Sequence, residues 1–228
     1  MVIAKFVGVV LIGYLLGSIP FGLLISKRSS KIDIRQYGSG KIGGTNVLRT
    51  VGKKAAVLVV ILDASKGALA VVLAELIIGR SYLVLGDFGL GVLVAKVLAA
   101  LAAIVGHNWS VFLKFHGGRG VATFMGGLIA LSPVAAIFSG EIFIIGASLT
   151  KFASLGSIAA AVATYIILAP LVIMNKFPIE YLAYALIGTI IIIVMHRDNI
   201  RRLVSGKERK LGEKTREVDS PPPTEPTG

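Results

Sequence analysis

Long apolar runs dominate this sequence and limit the folds open to it. A helix needs about 20 apolar residues to cross the hydrocarbon core of a membrane. Runs near or above that length cover roughly residues 2–25, 55–79, 88–106, 121–149, 155–174 and 179–195. Only 16% of the 228 residues are charged, against about 25% in ordinary soluble domains. The sequence therefore predicts an all-α polytopic membrane protein. The first run is too long for a signal peptide and has no cleavage pattern after it, so we expect it to stay as a span.

Basic residues predict how the chain is threaded through the membrane. The segment 27–54 carries eight Lys and Arg residues but one acid, Asp33, and the segment after residue 195 is also rich in Lys and Arg. The positive-inside rule places both segments in the cytoplasm. Alternation then puts residues 80–87 outside and 107–120 inside. The N-terminus lies outside, the C-terminus lies inside, and the number of spans is odd.

Six apolar runs give an even number, so one run must contain two spans. The run 121–149 is the longest, and it includes Pro133, Ser139, Gly140 and Glu141. A turn in that stretch places Glu141 outside and Lys151 inside. We therefore predict about seven transmembrane helices within a membrane domain of residues 1–207. The polar residues 208–228 form a cytoplasmic tail, which we expect to be disordered from about Gly212 onward.

The formal net charge of +12 indicates an anionic partner or an anionic lipid surface. Nucleic acid is not expected as a partner, because no polar domain is available to present a groove. The chain has no cysteine, which excludes disulfides, thiolate metal sites and a cysteine nucleophile. The predicted inner loops lack a cluster of carboxylates, so a metal site is not expected. No other cofactor is expected either.

Glycine-rich stretches on the predicted inner side are candidate anion sites. Residues 38–49 read Gly-Ser-Gly-Lys-Ile-Gly-Gly-Thr-Asn-Val-Leu-Arg, which combines flexible backbone with the polar side chains of Ser39, Asn46 and Arg49. Such a backbone can turn N–H groups toward a phosphate, and an arginine fork suits the same ligand. The alternative is a flexible basic loop on anionic headgroups. The stretch lacks the spacing of a Walker loop.

The second stretch is a glycine turn that opens an apolar helix. Gly117, Gly118, Arg119 and Gly120 precede this helix directly. The N-terminus of a helix offers free N–H groups and partial positive charge, so an anion site is expected there. His107, ten residues before Gly117, is either a site residue or an ordinary interfacial histidine.

Other polar residues fall near the same predicted face. Ser154 and Ser157 lie one helical turn apart, and His196 and Asn199 follow the last run. Within the second run, Asp63 and Lys66 are spaced to form an ion pair that borders the site. The stretch Gly-Ser-Ile-Pro-Phe-Gly at residues 17–22 favours a helix kink or close helix packing over direct chemistry.

These motifs, taken in order, resemble the acyl-phosphate-dependent glycerol-3-phosphate acyltransferase family of bacterial membranes. The resemblance covers about the first 207 residues. It rests on the stretches at 17–22, 38–46 and 117–123 already described, with Arg49, and on Leu-Asp-Ala-Ser-Lys-Gly at 62, Gly-His at 106, Ser-Leu-Gly-Ser at 154 and His-Arg-Asp-Asn-Ile at 196. The sequence differs from the family pattern at Arg119, where lysine is usual, at Lys41 for asparagine and at Gly44 for alanine.

The resemblance implies transfer of a fatty acyl group from acyl phosphate to glycerol 3-phosphate, giving lysophosphatidic acid and phosphate in phospholipid biosynthesis. It implies a site on the cytoplasmic face of the cell inner membrane, with the enzyme that makes acyl phosphate as a further candidate partner. Matched by position, the family's polar site residues fall on Ser39, Arg49, Arg119, Ser157, His196 and Asn199, with Asn46 and His107 close by. Our mechanistic hypothesis assigns roles to the candidate residues as follows: catalysis by Ser157, His196 and Arg119; glycerol 3-phosphate binding by Ser39, Asn46, Arg49, His196 and Asn199; phosphate binding by Gly117, Gly118, Arg119 and Gly120; and support by His107, Asp63 and Lys66.

Two further comparisons narrow the function. An acyltransferase of the His-x4-Asp type is excluded, because Phe112, Val121 and Arg201 stand five residues after the three histidines. A transporter of a phosphorylated metabolite is the main alternative, since basic loops and broken helices suit that class as well. A structural lipid-binding protein is a second alternative, but it would not need the serine and histidine residues. Against it, the predicted outer side carries few polar groups, among them Arg80, Asp87, Glu141, Lys176 and Glu180.

Overall fold

The computed structural model describes residues 2–85 and 88–213. Asp87 and residues 214–228, which the sequence assigns to the outer side and to the tail, lie outside the described residues. Ten α-helices lie within the described part of the chain: α1 Val2–Ser18, α2 Phe21–Ser30, α3 Gly44–Thr50, α4 Lys53–Ile78, α5 Val92–Asn108, α6 Val121–Leu131, α7 Pro133–Thr150, α8 Ala153–Ile173, α9 Ile179–Met195 and α10 Arg197–Val204.

The long helices match the apolar runs in the sequence. Within the described residues, five helical segments are long and apolar enough to cross a membrane, and the bent pair α9–α10 would make six. Helix α6 has 11 residues, a length of about 16 Å at 1.5 Å per residue, which is short for a full crossing. The fold is thus a helical membrane bundle.

The predicted division of the run 121–149 is confirmed, but its position differs from the expected turn. The chain breaks at Ser132, whose Oγ accepts a hydrogen bond from the Ala135 N–H and caps α7, and Pro133 starts the new helix. Proline is favoured at the first position of a helix, since its missing N–H would be unpaired there. Gly140 and Glu141 therefore do not form a turn; they lie in the middle of α7, and the prediction that Glu141 sits in an outer turn is wrong.

A short β-hairpin modifies the all-α prediction. Strands β1 Leu83–Leu85 and β2 Phe88–Leu90 pair antiparallel, with Leu83 opposite Leu90. They occupy the predicted outer linker and the first residues of the predicted third run. The apolar composition of residues 88–90 therefore belongs to a strand, and the helix starts at Val92.

The stretch at residues 17–22 separates α1 from α2, which agrees with the predicted kink. Pro20 ends helical hydrogen bonding here, so nearby carbonyl groups need other donors. Lys66 Nζ donates to the Ile19 carbonyl at 3.1 Å, and Ser110 Oγ donates to the Ser18 carbonyl at 2.6 Å. Helix α4 and the segment after α5 therefore hold the break in place.

Small residues allow the helices to approach closely. A Cβ at Gly13 or Gly17 would collide with the backbone of Ala99 or Ala103 in α5, and a Cβ at Gly67 in α4 would collide with α6. Close contacts of this kind are typical of membrane helix pairs. They bring the first turns of α4, α6 and α8 and the last turns of α5 and α9 to one end of the bundle, which we call the polar end.

Candidate active site at the polar end

A cavity of ≈ 450 Å³ opens at the polar end. Its walls come from several helices and from both glycine stretches. The polar lining residues are Ser39, Lys41, Thr45, Asn46, Arg49, Asp63, His107, Arg119, Ser154, Ser157, His196, Asn199 and Glu208. Segments more than 150 residues apart in the sequence therefore contribute to one space.

The cavity brings together most of the residues that the sequence singles out. Ten of them line it: Ser39, Asn46, Arg49, Asp63, His107, Arg119, Gly120, Ser157, His196 and Asn199. Gly117, Gly118 and Lys66 do not line the cavity, and they lie directly behind residues that do.

The glycine turn before α6 has room for glycine alone at several positions. A Cβ at Gly117 would overlap the carbonyl oxygen of His107, and one at Gly118 would overlap the imidazole of His107. The Gly118 N–H donates to that carbonyl at 3.0 Å. Gly120 has φ +76°, in the left-handed region, and caps α6 without a side chain. The turn thus packs closely against His107 and places the N-terminus of α6 at the cavity.

The first glycine stretch is shaped by Asn46. The two N–H groups of its Nδ2 are shared among three carbonyls, those of Tyr37 and Lys41 at 2.9 Å and that of Ile34 at 3.2 Å, and its Oδ1 accepts from the Ser39 N–H at 3.1 Å. The amide is therefore fully engaged by the loop. Ser39, held by this network, lines the cavity.

Three cations, Lys41, Arg49 and Arg119, line the cavity, and burial disfavours the charged form of each. Burial, followed by the charge of Arg202, lowers the pKa of Arg119 to about 10, and Glu208 acts in the opposite sense. Burial also lowers the pKa of Arg49, and burial together with Arg119 lowers that of Lys41. Arg119 remains charged at pH 7. The Nε atoms of Arg49 and Arg119 are buried and have no hydrogen-bond partner among the described residues. Crowded cations with free donors fit an anionic ligand.

Glu208 is a site residue that the sequence reasoning missed. Its carboxylate accepts from Asn199 Nδ2 at 2.7 Å, from Ser154 Oγ at 3.0 Å and from Arg202 Nε at 2.8 Å. The Arg49 guanidinium also donates to the Arg209 carbonyl at 2.8 Å. Residues 208–213, assigned to the tail by composition, therefore fold back onto the polar end. In the sequence, the only available sign of this role was that Glu208 is a single acidic residue among basic ones, six positions after Arg202.

Two further polar side chains have defined proton positions. His196 Nδ1 lies 2.8 Å from the Ile192 carbonyl, and a carbonyl can only accept, so Nδ1 carries the proton and Nε2 is left as an acceptor. Ser157 Oγ donates to the Ala153 carbonyl at 2.8 Å. In this arrangement the Ser157 hydroxyl offers lone pairs to the cavity and must rotate before it can donate.

Three buried side chains, Asp63, Lys66 and His107, form a cluster next to the glycine turn. Asp63 Oδ1 lies 2.8 Å from Lys66 Nζ and 3.6 Å from His107 Nδ1, and all three side chains are at most 3% exposed. The predicted Asp63–Lys66 pair is present, and Lys66 also lies over the Phe21 ring. The group links the α1–α2 break to the residue on which the glycine turn rests.

The other half of the cavity is apolar. It is lined by Val60 and Ala64 of α4, by Met125 and Ile129 of α6, and by Gly140, Phe143 and Ile144 of α7. Val60, Ile129 and Ile144 are also exposed on the outer surface of the bundle. The cavity is thus polar at one end, apolar at the other, and open toward the side where lipid would lie.

Comparisons with known proteins agree with this geometry. The family described as Glycerol-3-phosphate acyltransferase matches residues 7–206. A protein named glycerol-3-phosphate acyltransferase 3 from Dehalococcoides mccartyi is 62% identical, over 95% of this chain and all of the relative. A relative named glycerol-3-phosphate acyltransferase from Shouchella clausii is 40% identical, over 93% of this chain and 98% of its own.

Solved structures give the same result. The crystal structure of PlsY (YgiH), an integral membrane glycerol 3-phosphate acyltransferase, in its glycerol 3-phosphate form has a TM-score of 0.78 and 36% identity, covering 91% of this chain and 96% of that one. Its lysophosphatidic acid form has a TM-score of 0.76 and 35% identity, covering 90% and 94%. The match in sequence, in fold and over almost the full length of both chains shows that this chain belongs to the glycerol-3-phosphate acyltransferase family of integral membrane proteins.

Proposed function

We propose that this protein transfers a fatty acyl group from acyl phosphate to glycerol 3-phosphate, giving lysophosphatidic acid and inorganic phosphate. The observation that carries the proposal is the two-part cavity, in which Arg49 and Arg119 converge at one end and apolar side chains line the other. An acyl chain with a phosphate at its reactive end matches that division. The names of the relatives and the glycerol 3-phosphate form of PlsY support glycerol 3-phosphate as the acceptor. The lysophosphatidic acid form of PlsY supports lysophosphatidic acid as the product.

Acyl phosphate is the donor that suits these residues. It is a mixed anhydride with phosphate as leaving group, so no covalent enzyme intermediate is needed, and positioning and charge stabilisation can supply most of the catalysis. We assign the donor phosphate to the turn 117–120 and the N-terminus of α6. The acyl chain would follow the apolar half of the cavity between α4, α6 and α7 toward the bilayer.

Glycerol 3-phosphate would bind where Ser39, Arg49, His196 and Asn199 face the cavity, with Arg119 shared between the two anions. The acceptor hydroxyl attacks the acyl carbonyl, the bond to the donor phosphate breaks, and the hydroxyl proton passes to His196 Nε2 or to a phosphate oxygen of the donor. The His196 tautomer supports the first route. Ser157 would stabilise the oxyanion after its hydroxyl rotates away from Ala153.

The other residues act through their neighbours in this proposal. Asn46 shapes the loop that carries Ser39, and Glu208 orients Asn199. His107, which lies beside Asp63 of the Asp63–Lys66 ion pair, supports the glycine turn. These assignments follow from the hydrogen bonds and ion pair described above.

For the arrangement in the membrane we propose seven crossings, with α6 as a short one. The N-terminus would lie outside, and the polar end would face the cytoplasm at the inner membrane. Of the 24 basic residues, 19 fall in the segments 27–54, 107–120, at 151 and after 195, which supports this orientation. Residues 1–207 would form the membrane domain, and the enzyme that makes acyl phosphate is a candidate partner at the polar face.

The proposal is tested with purified protein. Acyl phosphate and glycerol 3-phosphate should give equal amounts of phosphate and lysophosphatidic acid in detergent, whereas an acyl thioester should give no product. The alternative, a transporter of a phosphorylated metabolite, is tested with the same preparation in vesicles. Counterflow of glycerol 3-phosphate without acylation would favour the transporter and contradict the proposal.

A further inference from the structure

Glu208 determines which atoms of its neighbours remain available to a ligand. Its Oε1 accepts hydrogen bonds from Asn199 Nδ2 at 2.7 Å and from Ser154 Oγ at 3.0 Å, and its Oε2 pairs with Arg202 Nε at 2.8 Å. An ionised carboxylate can only accept, so Asn199 and Ser154 both turn a donor toward Glu208. All three of these residues line the cavity. The atom of the Asn199 amide that remains for a ligand is therefore its carbonyl oxygen, Oδ1, which is a hydrogen-bond acceptor.

His196 places a second hydrogen-bond acceptor next to Asn199. Its Nδ1 donates to the Ile192 carbonyl at 2.8 Å, which leaves Nε2 as an acceptor. His196 lies at the 60° bend between α9 and α10, and the Ile200 N–H donates to its carbonyl at 2.8 Å in the helical pattern. Side chains three positions apart on a helix are neighbours. His196 and Asn199 are both buried and line the cavity, and we call their surface the His196–Asn199 wall.

The charged donors of the cavity that we assign to phosphate groups belong to other elements. Arg49 lies in α3, and Arg119 lies in the turn before α6. A ligand fragment that binds at the His196–Asn199 wall must therefore bring its own hydrogen atoms. Glycerol 3-phosphate does so, because it carries hydroxyl groups on two neighbouring carbons, C1 and C2, beside its phosphate.

We propose that Asn199 makes the protein selective for acyl acceptors that carry a hydroxyl group at C2. This inference rests on the proposed function, which assigns glycerol 3-phosphate to the wall. The C1 hydroxyl, which is acylated, donates to His196 Nε2, and the C2 hydroxyl donates to Asn199 Oδ1. A ketone at C2 has an oxygen that can only accept, so it meets Oδ1 without a hydrogen between the two atoms. A site that binds a substrate hydroxyl rejects analogues that lack it, because its own polar group is left unpaired.

Equilibrium binding to purified wild-type protein, in detergent and without an acyl donor, tests the contact. The ligands are glycerol 3-phosphate and two analogues that keep the phosphate and the C1 hydroxyl, one with hydrogen and one with fluorine in place of the C2 hydroxyl. The fluorine analogue stands for the ketone, since it cannot donate and does not hydrate in water. Each analogue should bind at least about tenfold more weakly than glycerol 3-phosphate. Binding of either analogue within about threefold of glycerol 3-phosphate, or no binding of glycerol 3-phosphate, would overturn the proposal.

Asn199→Ala tests whether this residue is responsible. Glycerol 3-phosphate should bind the variant more weakly, and the three ligands should bind it within about threefold of one another, because no Oδ1 is left to distinguish them. Arg49→Ala is the matched control. It removes a contact to the phosphate, which all three ligands share, so their affinities should fall together and the preference for the C2 hydroxyl should remain. A preference that persists in Asn199→Ala, or that is lost in Arg49→Ala, would overturn the assignment to Asn199.

Acyl transfer and selectivity at C2 are measured separately. The binding preference needs no acyl donor, whereas the proposed function fails when bound glycerol 3-phosphate and acyl phosphate give no lysophosphatidic acid. Equal binding of the three ligands to a protein that does form lysophosphatidic acid would overturn the selectivity alone.

Discussion

Glu208 Oε1 accepts a hydrogen bond from Asn199 Nδ2 at 2.7 Å, which joins the segment after α10 to the wall of the cavity. The Glu208 side chain is 4% exposed and also holds Arg202. It is thus a buried anion within a group of cations, and it leaves the Asn199 Oδ1 without a partner among the described residues. That oxygen is free to accept a hydrogen bond from a ligand hydroxyl.

Glu208→Ala should reduce the free energy of unfolding by about 2–3 kcal/mol, because Asn199 and Arg202 lose a buried charged partner. Thermal unfolding in detergent measures the change. The matched control is Asp198→Ala, which removes the exposed ion pair with Arg201 at 3.8 Å. Exposed pairs contribute little, so this variant should stay within about 0.5 kcal/mol of wild type. Equal stability of the two variants would contradict the assignment of Glu208.

Gly118→Ala should lower kcat by about 100-fold or more, because the new methyl group pushes the turn away from His107 and displacements near 1 Å have effects of that size. Gly8→Ala is the control, since a Cβ at Gly8 meets no atom within 4 Å. Initial rates of lysophosphatidic acid formation compare the two. A Gly118→Ala enzyme with wild-type activity would show that the tight turn is not required.

Gly140→Leu should shift the enzyme toward shorter acyl chains. Gly140 lines the apolar half of the cavity, and the nearest atom to a Cβ built there is Met125 Cε at 3.9 Å, so a Cβ fits there without collision. The rest of a leucine side chain would take up cavity space that we assign to the acyl chain. Relative kcat/KM over a series of acyl phosphates measures the shift. Gly8→Leu serves as the control on α1. An unchanged chain-length profile would place the acyl chain elsewhere.

Arg119→Lys should keep activity at neutral pH but lose it earlier on the alkaline side. With a pKa of about 10, Arg119 is charged at pH 7. As the pH rises through 10, Arg119 loses its proton and should no longer bind the substrate phosphate. An ordinary lysine has a pKa about two units below that of arginine. In the same surroundings the alkaline limb of kcat/KM should therefore move down by about two pH units. If the pH profiles of kcat/KM for wild type and Arg119→Lys coincide, Arg119 does not bind a phosphate.

Much of the bundle and of the cavity could be predicted from the sequence, because both depend on local patterns. Apolar runs of sufficient length can form little except membrane helices, and α4, α8 and α9 begin and end within two residues of the predicted runs. The glycine-rich stretches that contain Arg49 and Arg119 were predicted to form one site, and both arginines line the same cavity. The resemblance to the family connected these segments before any geometry was known.

The remaining features depend on long-range contacts that no local pattern encodes. Glu208 is surrounded by basic residues and looks like part of a solvated tail, yet Asn199 and Ser154 complete its hydrogen bonds. Glu141 resembles a turn residue, since a carboxylate within a lipid-facing helix is rare. The hydrogen bonds by which the Asn46 amide shapes its loop join residues five to twelve positions away, so they too could not be read from the sequence. The role of Asn46 as a substrate ligand stays a prediction.

The central claim is that the cavity at the polar end transfers an acyl group to glycerol 3-phosphate. The most direct measurement is the rate of lysophosphatidic acid formation from acyl phosphate by purified wild type, Arg49→Ala and Arg119→Ala, with correct folding checked by thermal unfolding. Each substitution removes a charged hydrogen bond to phosphate and should lower kcat/KM by at least about 10-fold. Wild-type rates in both variants would contradict the account.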